Sequence, residues 1–394
     1  MSERGWWTGG QYSLVRAVFG LYLFIHFAML LPWAKEIFET VLPRDASPLI
    51  HLFPNILAVA DVAMPLIAAG ALAAVFFAIG LHDRIAAVVM WYVLACLFGR
   101  NPLIANPSLP FAGWLLLAHA MLPPAPFGSW VARGRVDPRG GWTFPRPIWT
   151  AMWIVMSLGY SYSGWTKLVS PSWTDGTALA RVLDNPLARP SFLRDLVLAT
   201  PAPLMQLATW GALALELLYA PLALSRRIRP WIWLVMLLMH IGLVTLIDFA
   251  DLSFMMVIVH LFTFDPAWVP RRAPETTDVV QYDGSCGLCH RSVRFLIAED
   301  ANGSAFTFEP LSVESESVIV QTADGRTLQQ SAAVIHIAHR LGGYWRVLGI
   351  AFSLIPRVVR DAMYDGVARV RYRIFGKTKD ACPLMPPDLR SRFL

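Results

Sequence analysis

Eight apolar stretches succeed one another over the first two thirds of the chain, near residues 12–34, 54–81, 85–99, 108–122, 148–168, 203–224, 230–247 and 251–268. A helix needs about 20 mostly apolar residues to cross the hydrocarbon core of a bilayer. The pattern predicts a multi-pass α-helical membrane domain of about eight helices, the third and fourth short enough to be tilted, broken or re-entrant. Charge is distributed accordingly. Residues 1–272 hold 19 Lys/Arg and 14 Asp/Glu, whereas the remaining 122 residues hold 14 and 13. The first density is too low for an ordinary soluble enzyme and the second is not. Two domains are therefore expected, 1–272 in lipid and 273–394 in water. The basic excess of the first part lies in its loops, which marks a membrane protein rather than a nucleic-acid binder. Lys and Arg divide eleven to six between alternate sets of loops. With the richer set inside, both termini are expected in the cytoplasm of a bacterial inner-membrane type protein.

The chain after residue 277 reads as a short strand, Asp278–Tyr282, followed by Asp283-Gly284-Ser285-Cys286-Gly287-Leu288-Cys289 and a helical pattern with Val293, Leu296 and Ile297 on one face. Ser317–Gln321 and Arg326–Gln330 flank Ala323-Asp324-Gly325, a hairpin signal, and Ala333–Leu341 reads as a helix. A strand, a Cys-x-x-Cys and a helix form the layout of a small α/β thioredoxin-like redox domain. The unpaired amides of the helix N-terminus favour a thiolate. Cys286 is then the attacking thiol, expected to be the more exposed, and Cys289 the resolving one. They would form a redox-active Cys286–Cys289 disulfide. Other chemistries fit the same spacing. Cys286, Cys289 and His290 also match covalent haem attachment, which needs the opposite side of the membrane. Zinc would need Cys382 and a histidine, and the pair could be inert buried thiols. No metal site is expected.

The run Tyr282-Asp283-Gly284-x-Cys286-x-x-Cys289-x-x-x-Val293-x-Phe295-Leu296 resembles the signature of the DCC family of thiol-disulfide oxidoreductases. Pro310, the Asp324-Gly325 turn, Tyr364 and Cys382-Pro383 extend the resemblance over about 275–394. It implies dithiol redox chemistry, with Asp283 supporting the cysteines and a thioredoxin-type reductant or a peptide substrate as partner. No proline precedes the strand at Ser317, where thioredoxin-like proteins set one facing the cysteines.

In the apolar part the densest group of polar residues is Gly159-Tyr160-Ser161-Tyr162-Ser163-Gly164-Trp165-Thr166-Lys167-Leu168. Tyr160, Ser163, Gly164 and Lys167 share one helix face. Gly164 lets another backbone or a flat ligand come close. A desolvated lysine gives up its proton readily and can serve as a general base, provided Glu216 is distant or protonated. Glu216 and His240, deep in consecutive helices, are expected to line a polar cavity. Ser163-Gly164-x-x-Lys167-Leu168, with Trp173 and Gly176, resembles the vitamin K-dependent gamma-carboxylase-like family, also called the horizontally transferred transmembrane domain. That resemblance covers about 10–270. It implies a lipophilic quinone or hydroquinone as cofactor, Lys167 as its base, and Gly164, Trp165 and Trp173 as its contacts.

The expected protein is thus a membrane-bound redox enzyme that joins a quinone-type site to a cytoplasmic dithiol. Two further readings are a carboxylase or oxygenase acting on a peptide or small substrate, and a non-catalytic membrane maturation or scaffold protein. The expected orientation sets Lys167 and the dithiol about 30 Å apart. A mobile quinone or a separate partner would have to join them.

Overall fold

The computed structural model describes residues 6–40, 54–101, 106–248, 250–273, 275–300, 302–311, 317–378 and 385–394. Cys382 and Pro383, grouped with the dithiol motif above, lie outside the described residues. The first part is built of helices α1 (Gly9–Leu30), α2 (Ala63–Ile79), α3 (Asp83–Arg100), α4 (Leu109–Ala120) and α5 (Arg146–Lys167). Three short helices follow, α6 (Pro171–Thr174), α7 (Ala178–Leu183) and α8 (Phe192–Leu198). The set closes with α9 (Ala202–Ala223), α10 (Arg229–Leu246) and α11 (Ala250–Thr263). Thr8 caps α1 by accepting the Gln11 amide, and Gly80, in the left-handed region at φ 71°, ends α2. Small residues set the closest crossings. A Cβ on Gly20 of α1 would lie 2.7 Å from the Ala78 Cβ. One on Gly164 of α5 would lie 2.6 Å from the Leu217 amide nitrogen of α9. Phe19, Phe27, Ile67, Phe77, Met90 and Phe262 fill the core between them.

This architecture corrects the expectation of about eight spans. Among the described residues two helical stretches are long and apolar enough to cross a membrane, Gly9–Trp33 and Arg229–Leu246. A third counts if α8 and α9, bent by 102° at their break, form one span. The other apolar stretches fall short for physical reasons. Helices α2, α4 and α11 have 17, 12 and 14 residues, and α3 carries Asp83, Arg84 and Arg100. In α5, Trp, Tyr, Ser and Thr dilute the aliphatic residues.

The remainder forms a four-stranded mixed sheet with helices. Its elements are β1 (Asp278–Asp283), α12 (Gly287–Glu299), β2 (Phe306–Leu311), β3 (Ile319–Gln321), β4 (Thr327–Gln329), α13 (Gln330–Leu341), α14 (Gly343–Ser353), α15 (Arg357–Phe375) and α16 (Pro387–Arg390). Strand order is β2-β1-β3-β4. β1 pairs in parallel with β2, Val280 opposite Phe308, and antiparallel with β3, Val280 opposite Val320. A parallel pair requires a crossover, and α12 supplies it. The hairpin at Ala323-Asp324-Gly325 joins β3 to β4, with Gly325 at φ 84°. Val293, Leu296 and Ile297 are buried against the sheet.

The two parts are joined by specific contacts. Tyr344 of α14 is buried in the core of the helical part, its ring centroid 4.5 Å from that of Phe264 and 5.3 Å from that of Trp7. The Gly343 amide donates to the Val269 carbonyl at 2.8 Å. On another side Arg139 bonds Asp388 at 2.6 Å.

Candidate active site

Strand β1 delivers Asp283 at its end, and the chain turns through Gly284 and Ser285 into α12, of which Cys286 is the N-cap. A serine or aspartate usually holds this place, because its side chain accepts an otherwise unpaired amide. Here sulfur does so. The Cys289 amide donates to the Cys286 Sγ at 3.3 Å. The two thiols also bond each other, and burial together with that bond pushes the Cys289 thiol well above its ordinary value. Cys289 therefore holds its proton tightly, and the Cys286 sulfur is the acceptor of the Cys289 amide.

Exposure corrects one expectation. Cys286 is fully buried, whereas Cys289 is partly exposed. A strap formed by residues 375–378 is responsible. The Gly287 amide donates to the Gly376 carbonyl at 3.1 Å, and the Thr378 amide to the Ser285 carbonyl at 2.8 Å. Cys286 and Lys377 form an isolated antiparallel bridge. A Cβ on Gly287 would lie 2.3 Å from the Phe375 carbonyl oxygen, so the strap's approach requires glycine between the cysteines.

Asp283 is the polar centre beside the pair. Its carboxylate accepts the Ser285 amide and the Ser285 hydroxyl, each at 2.8 Å, and the Tyr372 hydroxyl. The Arg371 guanidinium lies 3.4 Å away. Burial raises the carboxyl, but the Tyr372 and Ser285 bonds and the Arg371 charge outweigh it and hold it below its usual range. The His290 Nε2 lies 2.9 Å from the Gly284 carbonyl. Among the described residues no group of three His, Cys, Asp or Glu is gathered to hold a metal ion.

Cys289 opens into a pocket of about 240 Å³ whose walls are almost wholly apolar, including Val280, Leu288, Val318, Tyr364 and Val367, with Arg371 at one side. The Val318 amide donates to the Tyr364 hydroxyl at 2.9 Å. Tyr364 thus occupies the backbone group next to the position where the expected proline is missing. The resemblance singled out Tyr364, but Arg371, Tyr372 and the strap were not foreseen. They lie about 80 residues beyond the motif, and no local spacing connects them to it.

In the helical part the structure brings together most of the residues singled out in α5, α9 and α10. Lys167 is ion-paired with Glu216, lies 3.3 Å from the Ser163 hydroxyl, and stands over the Trp173 ring at 4.6 Å. Glu216 is therefore not distant, and the condition set for a neutral Lys167 is not met by separation. The Tyr160 hydroxyl lies 2.8 Å from the His240 Nε2. Gly164 serves backbone contact with α9 rather than a flat ligand, and Trp165 is exposed on the outer side of α5. His260 and Tyr219, whose ring centroids lie 5.9 and 4.8 Å from that of Tyr160, complete the cluster.

A family model described as DCC1-like thiol-disulfide oxidoreductase matches residues 280–377. The uncharacterized protein YuxK of Bacillus subtilis is 32% identical over 130 residues, covering 29% of this chain and 93% of that protein. A chloroplastic DCC family protein of Arabidopsis thaliana is 30% identical over 120 residues, 27% of this chain and 69% of that one. No solved structure matches the chain. The sheet, the Cys-x-x-Cys at its helix start and these relatives define a dithiol redox domain. The chain belongs to the DCC1-like thiol-disulfide oxidoreductase family through its C-terminal part.

Proposed function

We propose that the protein is a membrane-anchored thiol-disulfide oxidoreductase in which Cys286 is the nucleophile, Cys289 the resolving thiol and Asp283 a positioning residue. The observation that carries this is the sulfur N-cap, in which the buried Cys286 Sγ accepts the Cys289 amide at the start of α12. The Cys286 thiolate attacks one sulfur of a substrate disulfide. A Cys286–substrate bond forms, and one substrate thiolate leaves and is protonated by water. Cys289 then loses its proton to water and attacks the Cys286 sulfur. The Cys286–Cys289 disulfide closes and the second substrate thiolate departs. Two electrons and two protons pass to the substrate, and a thioredoxin-type dithiol returns them. Peptide disulfides are the substrate class proposed. The sheet order, with α12 as crossover, supports a thioredoxin-like domain over residues 273–394, and residues 1–272 serve as its membrane domain. The test is trapping. Cys289→Ser is expected to accumulate mixed disulfides with cellular thiols, and Cys286→Ser to accumulate none. The opposite pattern assigns the nucleophile to Cys289.

A second reading is favoured by one observation in the helical part. The Tyr219 hydroxyl, the His240 Nδ1 and the His260 Nε2 are buried around Tyr160 with no hydrogen-bond partner. Unsatisfied buried groups are costly, and a quinone/hydroquinone couple suits them: carbonyls accept from Tyr219 and His240, and a hydroquinone hydroxyl donates to the His260 Nε2, since the His260 Nδ1 proton is given to the Met256 carbonyl. Bound there it would supply two-electron chemistry, with Tyr219, His240 and His260 holding it. Lys167, as the cation of an ion pair, must pass a proton to Glu216 before it can act as a base. This keeps the carboxylase-like resemblance, and an oxygenase or carboxylase reaction, as a proposal for residues 1–272. Extraction of a quinone from the purified chain, lost in Tyr219→Phe with His260→Phe, tests it. Equal quinone content in that variant refutes it.

A further inference from the structure

The geometry points to α15 as a lipid-docking helix that lies on an anionic membrane surface, a role separate from the dithiol chemistry. Val359, Met363, Val367, Val370 and Ile374 recur at spacings of 4, 4, 3 and 4. They form one row along the helix, and all five are exposed. Leu354 and Val358, where α14 turns into α15, are 81% and 82% exposed. A soluble surface rarely leaves so continuous an apolar row uncovered.

Charge beside the row selects its occupant. The two acidic residues of α15's middle turn inward. Asp361 bonds Ser331 and Arg357, and Asp365 accepts from the Gln330 side chain at 2.9 Å. Arg369 and Arg373 stay exposed on the neighbouring row, with no ion pair among the described residues. A helix with an apolar face, flanking arginines and carboxylates bonded on its opposite side suits anionic lipid headgroups above an apolar interior. Position agrees. The hairpin of α14 and α15 begins at Gly343 and Tyr344, which are fastened to Val269 and Leu261 near the end of α11. The Tyr344 amide also meets the Gln11 side chain near the start of α1, one candidate span. Tyr364 and Val367 also line the Cys289 pocket, so docking would set one wall of that pocket against the bilayer.

The test uses the full chain in nanodiscs, with Cys96, Cys286, Cys289 and Cys382 replaced by serine and a nitroxide on Met363→Cys or Val370→Cys. A nitroxide on Asp324→Cys, at the exposed hairpin tip, gives the aqueous reference. Collisions with dissolved oxygen report lipid, and collisions with a water-soluble nickel chelate report water. In discs containing phosphatidylglycerol, nickel collisions at 363 and 370 should fall about three-fold below the reference while oxygen collisions rise. Arg369→Glu with Arg373→Glu should restore the aqueous pattern. Hydrogen exchange of α15 in the unmodified chain should slow in the same anionic discs and not in phosphatidylcholine discs. Three results overturn the inference: aqueous behaviour at both sites in anionic discs, the same shift in phosphatidylcholine discs, or loss of both kinds of collision, which means a protein covers the row.

Discussion

Glu299 accepts the Gly10 amide at 2.8 Å, so the helix that Cys286 caps ends by capping the helix that begins at Gly9. The same carboxylate accepts the Thr8 hydroxyl and the Trp345 indole N–H, the latter at 2.6 Å. Helix α12 has 13 residues, about 20 Å at 1.5 Å per residue. The dithiol is thus held at a fixed distance from the start of α1 by one rigid element.

Burial raises the Glu299 carboxyl, and the bonds from Thr8, Trp345 and Gly10 only partly offset it, so its value stays above the ordinary one. The folded state then binds this proton more tightly than the unfolded chain does. Stability should fall as pH rises from the ordinary carboxyl value through the raised folded one. Glu299→Gln should flatten that slope in thermal unfolding of the detergent-solubilised chain. Glu299→Ala should cost about 1–3 kcal/mol, because the Thr8, Gly10 and Trp345 donors lose their acceptor. An unchanged melting temperature in Glu299→Ala would show that the contact does not fasten the two parts.

Gly287→Ala tests the strap over Cys286. Alanine in a helix ordinarily gains about 0.5–1 kcal/mol over glycine. Here its methyl would meet the Phe375 carbonyl at 2.3 Å, and overpacking of about 1–3 kcal/mol wins. The variant should be less stable, and Cys286 should alkylate several-fold faster as residues 375–378 lift away. Faster alkylation of Cys289 alone would locate the barrier elsewhere.

Asp283 carries the opposite pH dependence. Its folded value is lowered, so its contribution is present above the ordinary carboxyl value and lost as pH falls through the folded one. Asp283→Asn should therefore flatten the acid limb of the stability curve and cost about 1–3 kcal/mol near neutrality. Tyr372→Phe, which removes one bond to the same carboxylate, should show a smaller loss of the same sign.

The Lys167–Glu216 pair makes a double-mutant cycle informative. Lys167→Met leaves a carboxylate that is 7% exposed without its cation, and Glu216→Gln leaves the ammonium without its anion. Each single change should destabilise more than the double change implies, with a coupling of at least about 1 kcal/mol. Coupling near zero would return Lys167 to a lipid-interface anchor.

Much of the dithiol part was legible because its signals are local. Asp278–Tyr282 reads as a short strand, Asp324-Gly325 makes a turn, and Cys286 stands at the start of a helix. The burial of Cys286 was not legible, since the strap that covers it is brought in by tertiary contact from residues 375–378. In the helical part, the polar residues of α5, α9 and α10 were recognised, but hydropathy alone overcounted spans. Apolar runs such as 63–79 and 109–120 yield helices shorter than a bilayer needs. Glu299 gave no warning, because a carboxylate ending a surface-like helix looks solvated until α1 is set against it.

The most direct measurement is an equilibrium redox titration of the full chain in glutathione buffers, with each cysteine's state read by maleimide mass shift. Cys286 and Cys289 should oxidise together in one two-electron transition, 29.6 mV per tenfold change in equilibrium constant, while Cys96 stays reduced. Replacing either partner with serine should abolish the transition. Independent oxidation of the two thiols, or two thiols still reduced in the most oxidising buffer, contradicts a redox role for the pair.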